Sequence, residues 1–138
     1  MPAIDWYRTA RRKVLIDNHL DDWLPGYEKY DSAAIADAIA NSGFEAAMIY
    51  ARCHVGTCYW NASEGPKHAG LGDRDQIGEL TTLLQQCGVH MILYYSTIFD
   101  KKLYDAHPDW RIIGEGDKGN IFGKTSRYKQ VCPNSPYR

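Results

Sequence analysis

The sequence predicts an α/β fold assembled from repeated strand and helix units. Three short apolar runs rich in branched and aromatic side chains, over 13–17, 45–52 and 89–95, read as strands. The interval between each pair carries a helical period that ends on a glycine. Strands separated by single helices form a βαβαβ unit, in which backbone twist makes the crossovers right-handed and the strands parallel.

The elements follow in order. Lys13-Val14-Leu15-Ile16-Asp17 is the first strand, and it ends on the polar pair Asn18-His19. Leu24-Pro25-Gly26-Tyr27 is a turn-bearing loop. Asp31-Ser32 caps a helix over 33–41, where Ile35 and Ile39 lie four apart on one face and Gly43 ends it. The second strand, Ala46-Ala47-Met48-Ile49-Tyr50-Ala51, is apolar on both faces, as a parallel strand covered by helices must be. After a loop over 53–72, a second helix over 74–87 sets Ile77, Leu80, Leu84 and Cys87 on one side, with Gly88 as its stop. Asp73 and Asp75 precede it as capping and dipole partners. The third strand, Val89-His90-Met91-Ile92-Leu93-Tyr94-Tyr95, leads into Ser96-Thr97. The remainder, 99–131, is a long connection with a turn at His107-Pro108-Asp109-Trp110, a short strand at Arg111-Ile112-Ile113, and Gly114, Gly116, Gly119 and Gly123.

With 138 residues, 44% hydrophobic and 24% charged, the chain is long enough for one domain with a real core. A net charge of -1 gives no electrostatic reason for a nucleic acid or an anionic membrane as partner. No apolar stretch is long enough to span a bilayer, and the polar, basic start of the chain lacks a signal-peptide core, so a cytoplasmic location is expected. Cys53, Cys58, Cys87 and Cys132 lack paired CxxC spacing and are expected to be free thiols, with no metal and no cofactor. The sequence carries no signal of oligomeric state.

Two architectures accept a βαβαβ unit: an open, doubly wound sheet and a (β/α)8 barrel, which typically needs about 250 residues. The turn Asp17-Asn18-His19-Leu20 is not a glycine-rich phosphate loop, which weighs against the nucleotide-binding sheet. Asn134-Ser135-Pro136-Tyr137-Arg138 places a capping serine and a first-turn proline where a further helix would start. The expectation is therefore a truncated TIM barrel: its first three βα units, forming the N-terminal part of a single barrel over 1–138.

In parallel α/β folds, ligands meet the carboxyl ends of the strands. Those ends deliver Asp17, Asn18 and His19; Arg52, Cys53 and His54, with Tyr59 and Trp60 soon after; and Tyr94, Tyr95, Ser96 and Thr97. Aromatic faces mixed with imidazoles and hydroxyls suit a sugar, whose C–H patches stack on Trp or Tyr and whose hydroxyls need donors and acceptors. Tyr94 and Tyr95 must point to opposite faces, so one of them serves the strand mouth. His19, His54, His68, Asp17 and Asp22 are also potential metal ligands, but neither an HxH at the end of strand one nor an HExxH occurs. Cys53 and His54 are neighbours on a strand and point apart, which argues against a nucleophile and base pair. His107 and Trp110 either pack locally or form a lid.

At strand two the sequence meets a family. Arg52-Cys53-His54-Val55-Gly56-Thr57-Cys58-Tyr59-Trp60 resembles the Lys-His-His-Asp-Gly-Phe motif, with a following Trp, of the α-L-fucosidase family of glycoside hydrolases. Gly72-Asp73-Arg74-Asp75 and Leu93-Tyr94-Tyr95-Ser96 look like that family's Arg-Asp and Tyr-Tyr-Ser elements, and Asp22-Trp23 faintly echoes its Glu-Trp pair. A closer likeness is to a fucosidase-related group of hypothetical glycoside hydrolase-like barrels. Its motifs stand here, in order, as Asp17-Asn18-His19, Arg52-Cys53-His54-Val55-Gly56, His107-Pro108-Asp109-Trp110 and Cys132-Pro133-Asn134-Ser135-Pro136-Tyr137.

The resemblance implies a parent enzyme that hydrolyses O-glycosidic bonds of a carbohydrate substrate with retention. It implies substrate contacts at His19, His54 and Trp60 and at one of Tyr94 and Tyr95, of which Tyr95 is taken as the contact. Cys53 and Val55 depart from the fucosidase motif, so fucose specificity does not carry over. The catalytic carboxylates of that family come from strand four onward, so the catalytic residues of this chain are unknown and the chain alone is expected to be inactive. A non-catalytic carbohydrate-binding module and a metal-dependent hydrolase are the alternatives.

Overall fold

The computed structural model describes residues 5–21, 25–114 and 127–136. Asp22, Trp23, Leu24, Gly116, Gly119, Gly123, Tyr137 and Arg138 lie outside the described residues. A short helix α1 (Asp5–Thr9) precedes strand β1 (Lys13–Ile16), followed by α2 (Ser32–Asn41), β2 (Ala46–Arg52), α3 (Gln76–Gln86), β3 (His90–Tyr95) and α4 (Lys101–Ala106). The three strands form one parallel sheet in the order β1-β2-β3. Leu15 pairs with Met48 and Met48 with Ile92, so these side chains share one face, while Val14, Ala47 and Met91 share the other.

The second face builds the core. Ala36 and Ile39 of α2 and Ile77, Leu80 and Leu84 of α3 pack there with Ala47, Ile49 and Ala51. Leu80 and Leu84 are fully buried, each contributing about 1.5–3 kcal/mol relative to an exposed side chain. Both helices start where the sequence places an acid: Asp31 accepts from the Ala34 amide at 3.0 Å and Asp75 from the Gly78 amide at 2.8 Å. Past their ends, Gly43 and Gly88 take positive φ of 73° and 71°. Cys87, expected on the buried face of α3, is instead its exposed C-cap residue, because the helix ends at Gln86 and turns the thiol outward.

Arg74 fastens the two helices. Its guanidinium pairs with Glu79, donates to the Tyr30 carbonyl, and reaches Ser32 Oγ at 3.2 Å, while Ser32 Oγ donates to Glu79 at 2.6 Å. At the amino end of the sheet, Trp6 of α1 stacks on His90 with centroids 4.4 Å apart. The four cysteines are free thiols, with Cys53 and Cys58 buried. Among the described residues, no helix is long and apolar enough to cross a membrane.

The connection expected as a loop over 99–131 is more structured than that. It contains α4, capped by Asp100, and a 3-10 turn at Pro108–Trp110 on which His107 stacks against Trp110 at 3.8 Å. The short strand expected at 111–113 is a single bridge from Arg111 to Val131, with a second bridge from Phe99 to Gln130.

Candidate functional site

Strand β1 ends one residue before Asp17, and the next three residues fold back on themselves. Asp17 Oδ1 accepts from the His19 amide at 3.1 Å and contacts His19 Nδ1 directly, which leaves His19 Nε2 pointing away from the carboxylate. The turn is held from below by Tyr59, whose buried hydroxyl donates to the Asn18 carbonyl at 2.8 Å. Burial raises the Tyr59 phenol far above its ordinary range, so the group is a permanent donor. Arg127 donates to the His19 carbonyl at 3.4 Å.

The end of β2 brings His54 to the same place. Its ring centroid lies 4.5 Å from that of His19, and Tyr128 covers its other side at 4.4 Å. His54 is 1% exposed, and neither ring nitrogen has a hydrogen-bond partner among the described residues. Burial, then the neighbouring His19 and Arg127, push its pKa down to about 4, against the weaker pull of Asp21 and Asp17, so the imidazole is neutral at ordinary pH. Tyr50 and Tyr94 complete the cluster: their rings lie 4.1 Å apart, and His19 sits edge-on to Tyr50 at 4.5 Å and to Tyr94 at 6.1 Å. Burial, then Asp17, push the Tyr50 phenol up to about 12.

The expected contacts therefore separate into two groups. His19 and His54 are brought together; Trp60 and Tyr95 are not part of that cluster. The ladder is irregular between Tyr50 and Arg52, so Arg52 pairs with Tyr95 while Tyr50 pairs with Tyr94. Of the two tyrosines, Tyr94 is the one beside His19. Tyr95 accepts from Arg52 Nη1 at 3.0 Å and lies 6.4 Å from Trp60, both lining an apolar recess with Ala51, Ile77 and Leu93.

His68 is fully buried against Tyr27 at 4.6 Å, with Nδ1 accepting from the Gly70 amide and Nε2 against the Asp21 carbonyl. Cys53 lies in the core, 3.6 Å from the Thr57 hydroxyl. Among the described residues, no three His, Cys, Asp or Glu side chains form a group able to hold a metal ion.

Two members of this cluster, and the buried Asp100 that pairs with the strand-end Arg52, escaped the sequence reading. Tyr50 is one of seven consecutive strand residues, and only the register shows which face it takes. Tyr128 comes from 74 positions beyond His54, with no periodic pattern to announce it. Asp100 did leave a signal, since an aspartate before Lys101-Lys102-Leu103-Tyr104 is a helix start.

A parallel strand-helix chain whose polar and aromatic side chains gather at the carboxyl ends of its strands has the plan shared by parallel α/β proteins that bind ligands there. This chain belongs to the family described as hypothetical glycosyl hydrolase 6, whose model matches residues 31–138. Among solved structures it is similar to α-L-fucosidase isoenzyme 2 from Paenibacillus thiaminolyticus, at 24% identity and a TM-score of 0.79 over 91% of this chain and 19% of that one. It is also similar to an α-L-fucosidase from Bacteroides thetaiotaomicron, at 25% identity and a TM-score of 0.52 over 73% of this chain and 22% of that one. The α-fucosidase of Thermotoga maritima in complex with fucose matches at 23% identity and a TM-score of 0.53, over 80% of this chain and 24% of that one. The chain thus spans about a fifth of the length of the fucosidases it matches. No curated protein matches it significantly.

Proposed function

We propose that this chain forms the first three βα units of a (β/α)8 barrel whose parent protein hydrolyses O-glycosidic bonds with retention. The chain supplies one wall of the sugar pocket, the two carboxylates come from later strands, and the 138 residues alone are inactive. Membership of a glycosyl hydrolase family and the similarity to fucosidases support the glycosidase class. A cytoplasmic location belongs to the same reading.

The observation that carries it is the pairing of His19 with a buried His54 whose ring nitrogens lack a hydrogen-bond partner among the described residues. A buried polar group left without a partner costs about 1–3 kcal/mol, so such a group is kept where something else satisfies it. A sugar hydroxyl both donates and accepts, and can complete either nitrogen of a neutral imidazole. His19, with Nδ1 turned to Asp17, offers Nε2 beside it, and the half-buried Tyr94 ring, backed by the buried Tyr50, offers a face for the C–H side of a pyranose.

Aryl glycosides of the common monosaccharides, fucose included, test the assignment. The chain by itself should release no phenol, and the extended parent should release it with the anomeric configuration retained. Removing a later strand-end carboxylate should then cost the parent about a thousandfold or more. Hydrolysis by the 138-residue chain, or inversion by the parent, would contradict the proposal.

A further inference from the structure

We propose that Asp100 is a positioning residue that acts on the sugar pocket through His54. The two side chains do not touch; the link runs through the start of α4. The Asp100 carboxylate is fully buried, pairs with Arg52 Nη2, and accepts from the Leu103 amide at 2.9 Å. Its own amide donates to the Lys129 carbonyl at 2.9 Å. The next two amides donate to the His54 carbonyl at 3.0 Å and the Val55 carbonyl at 3.1 Å. The Asp100 carboxylate thus caps the helix start whose Lys101 and Lys102 amides hold the backbone of His54 and Val55, while the Asp100 amide holds Lys129, the neighbour of the Tyr128 that covers the His54 ring.

The fit is close enough to dictate a neighbouring residue. Gly56 has φ of 95°, and a Cβ there would come within 2.2 Å of Asp100 Oδ1. The turn over 53–56 is therefore shaped around the carboxylate. The His54 ring has no hydrogen bond of its own among the described residues, so its direction is set by this backbone support and by the rings on either side. The charged groups that bear on it are Arg127, Asp21 and Asp17, together with His19. Removing the Asp100 charge weakens its hold on Arg52 and loosens the seat of α4, and His54 then gains water.

The test follows histidine ring signals by NMR in the wild-type chain and in D100N and D100S, both of which keep a side-chain oxygen able to cap α4. Both variants should raise the His54 titration midpoint from about 4 toward the ordinary 6.5 and weaken the cross-relaxation between the His54 and Tyr128 rings. The ring signals of His90, stacked on Trp6 at the other end of the sheet, should keep their wild-type positions at a fixed pH. A folded variant that keeps the wild-type His54 midpoint and ring contact overturns the proposal. So does failure of both variants to fold, which would make Asp100 a residue of the fold alone. The role rests on His54 being a sugar contact, but these signals are read without sugar. A wild-type sugar titration that spares His54 would overturn the site assignment and leave the positioning result standing.

Discussion

His19 and His54 face each other with ring centroids 4.5 Å apart, yet Asp17 holds the first while both nitrogens of the second lack a partner among the described residues. Their chemistry therefore differs although their side chains are the same. His19 is oriented by a carboxylate at the solvent edge, and His54 is a neutral acceptor and donor kept dry by Tyr128.

His54 should make stability depend on pH. Its folded-state pKa lies below the unfolded one, so protons bind the unfolded chain more readily. The contribution is fully present above 6.5 and is lost as the pH falls through about 4, up to about 3 kcal/mol in all. Urea midpoints measured between about pH 7 and about pH 4 should show this slope in the wild type and a smaller one in His54→Gln.

Gly56→Ala should destabilise the chain by about 3 kcal/mol or more, from the positive φ and the clash with Asp100 together. Gly72→Ala meets no atom within 4 Å of the added carbon, so it should cost only the backbone term, about 1–3 kcal/mol, and less than Gly56→Ala. Thermal melts of the two variants side by side check the difference.

Much of the fold was legible because its signals are local. Branched runs, Asp31 and Asp75 before the helices, and Gly43 and Gly88 after them each act within a few residues, and the structure follows them closely. The site was legible only in part. Strand-end position pointed to His19 and His54, but the choice between Tyr94 and Tyr95 depends on a register irregularity at Ala51 that no local pattern encodes. Tyr128 meets His54 from 74 positions away, and Asp100 meets Arg52 in a buried ion pair across 48 residues, contacts that no local pattern encodes.

Arg74→Lys should lose most of what Arg74→Ala loses, about 1–2 kcal/mol, because the fork that reaches Glu79, Tyr30 and Ser32 together is lost although the charge is kept. Equal stability of Arg74→Lys and wild type in chemical denaturation would show that charge alone suffices.

The two aspartates before α3 should behave differently. Asp75→Ala removes the acceptor of the Gly78 amide and should cost about 1 kcal/mol, whereas Asp73→Ala should change little. Denaturation midpoints of the single variants decide this.

The most direct test of the proposed sugar pocket is an NMR titration of the chain, labelled at its histidines and tyrosines, with L-fucose and other common monosaccharides at about 50 mM, a concentration suited to weak binding. At least one sugar should shift the ring signals of His19, His54, Tyr50 and Tyr94, and His54→Ala should abolish the response. Shifts confined to Tyr95 and Trp60, or no shift with any sugar, would contradict the assignment of His19 and His54 as the wall of a carbohydrate site.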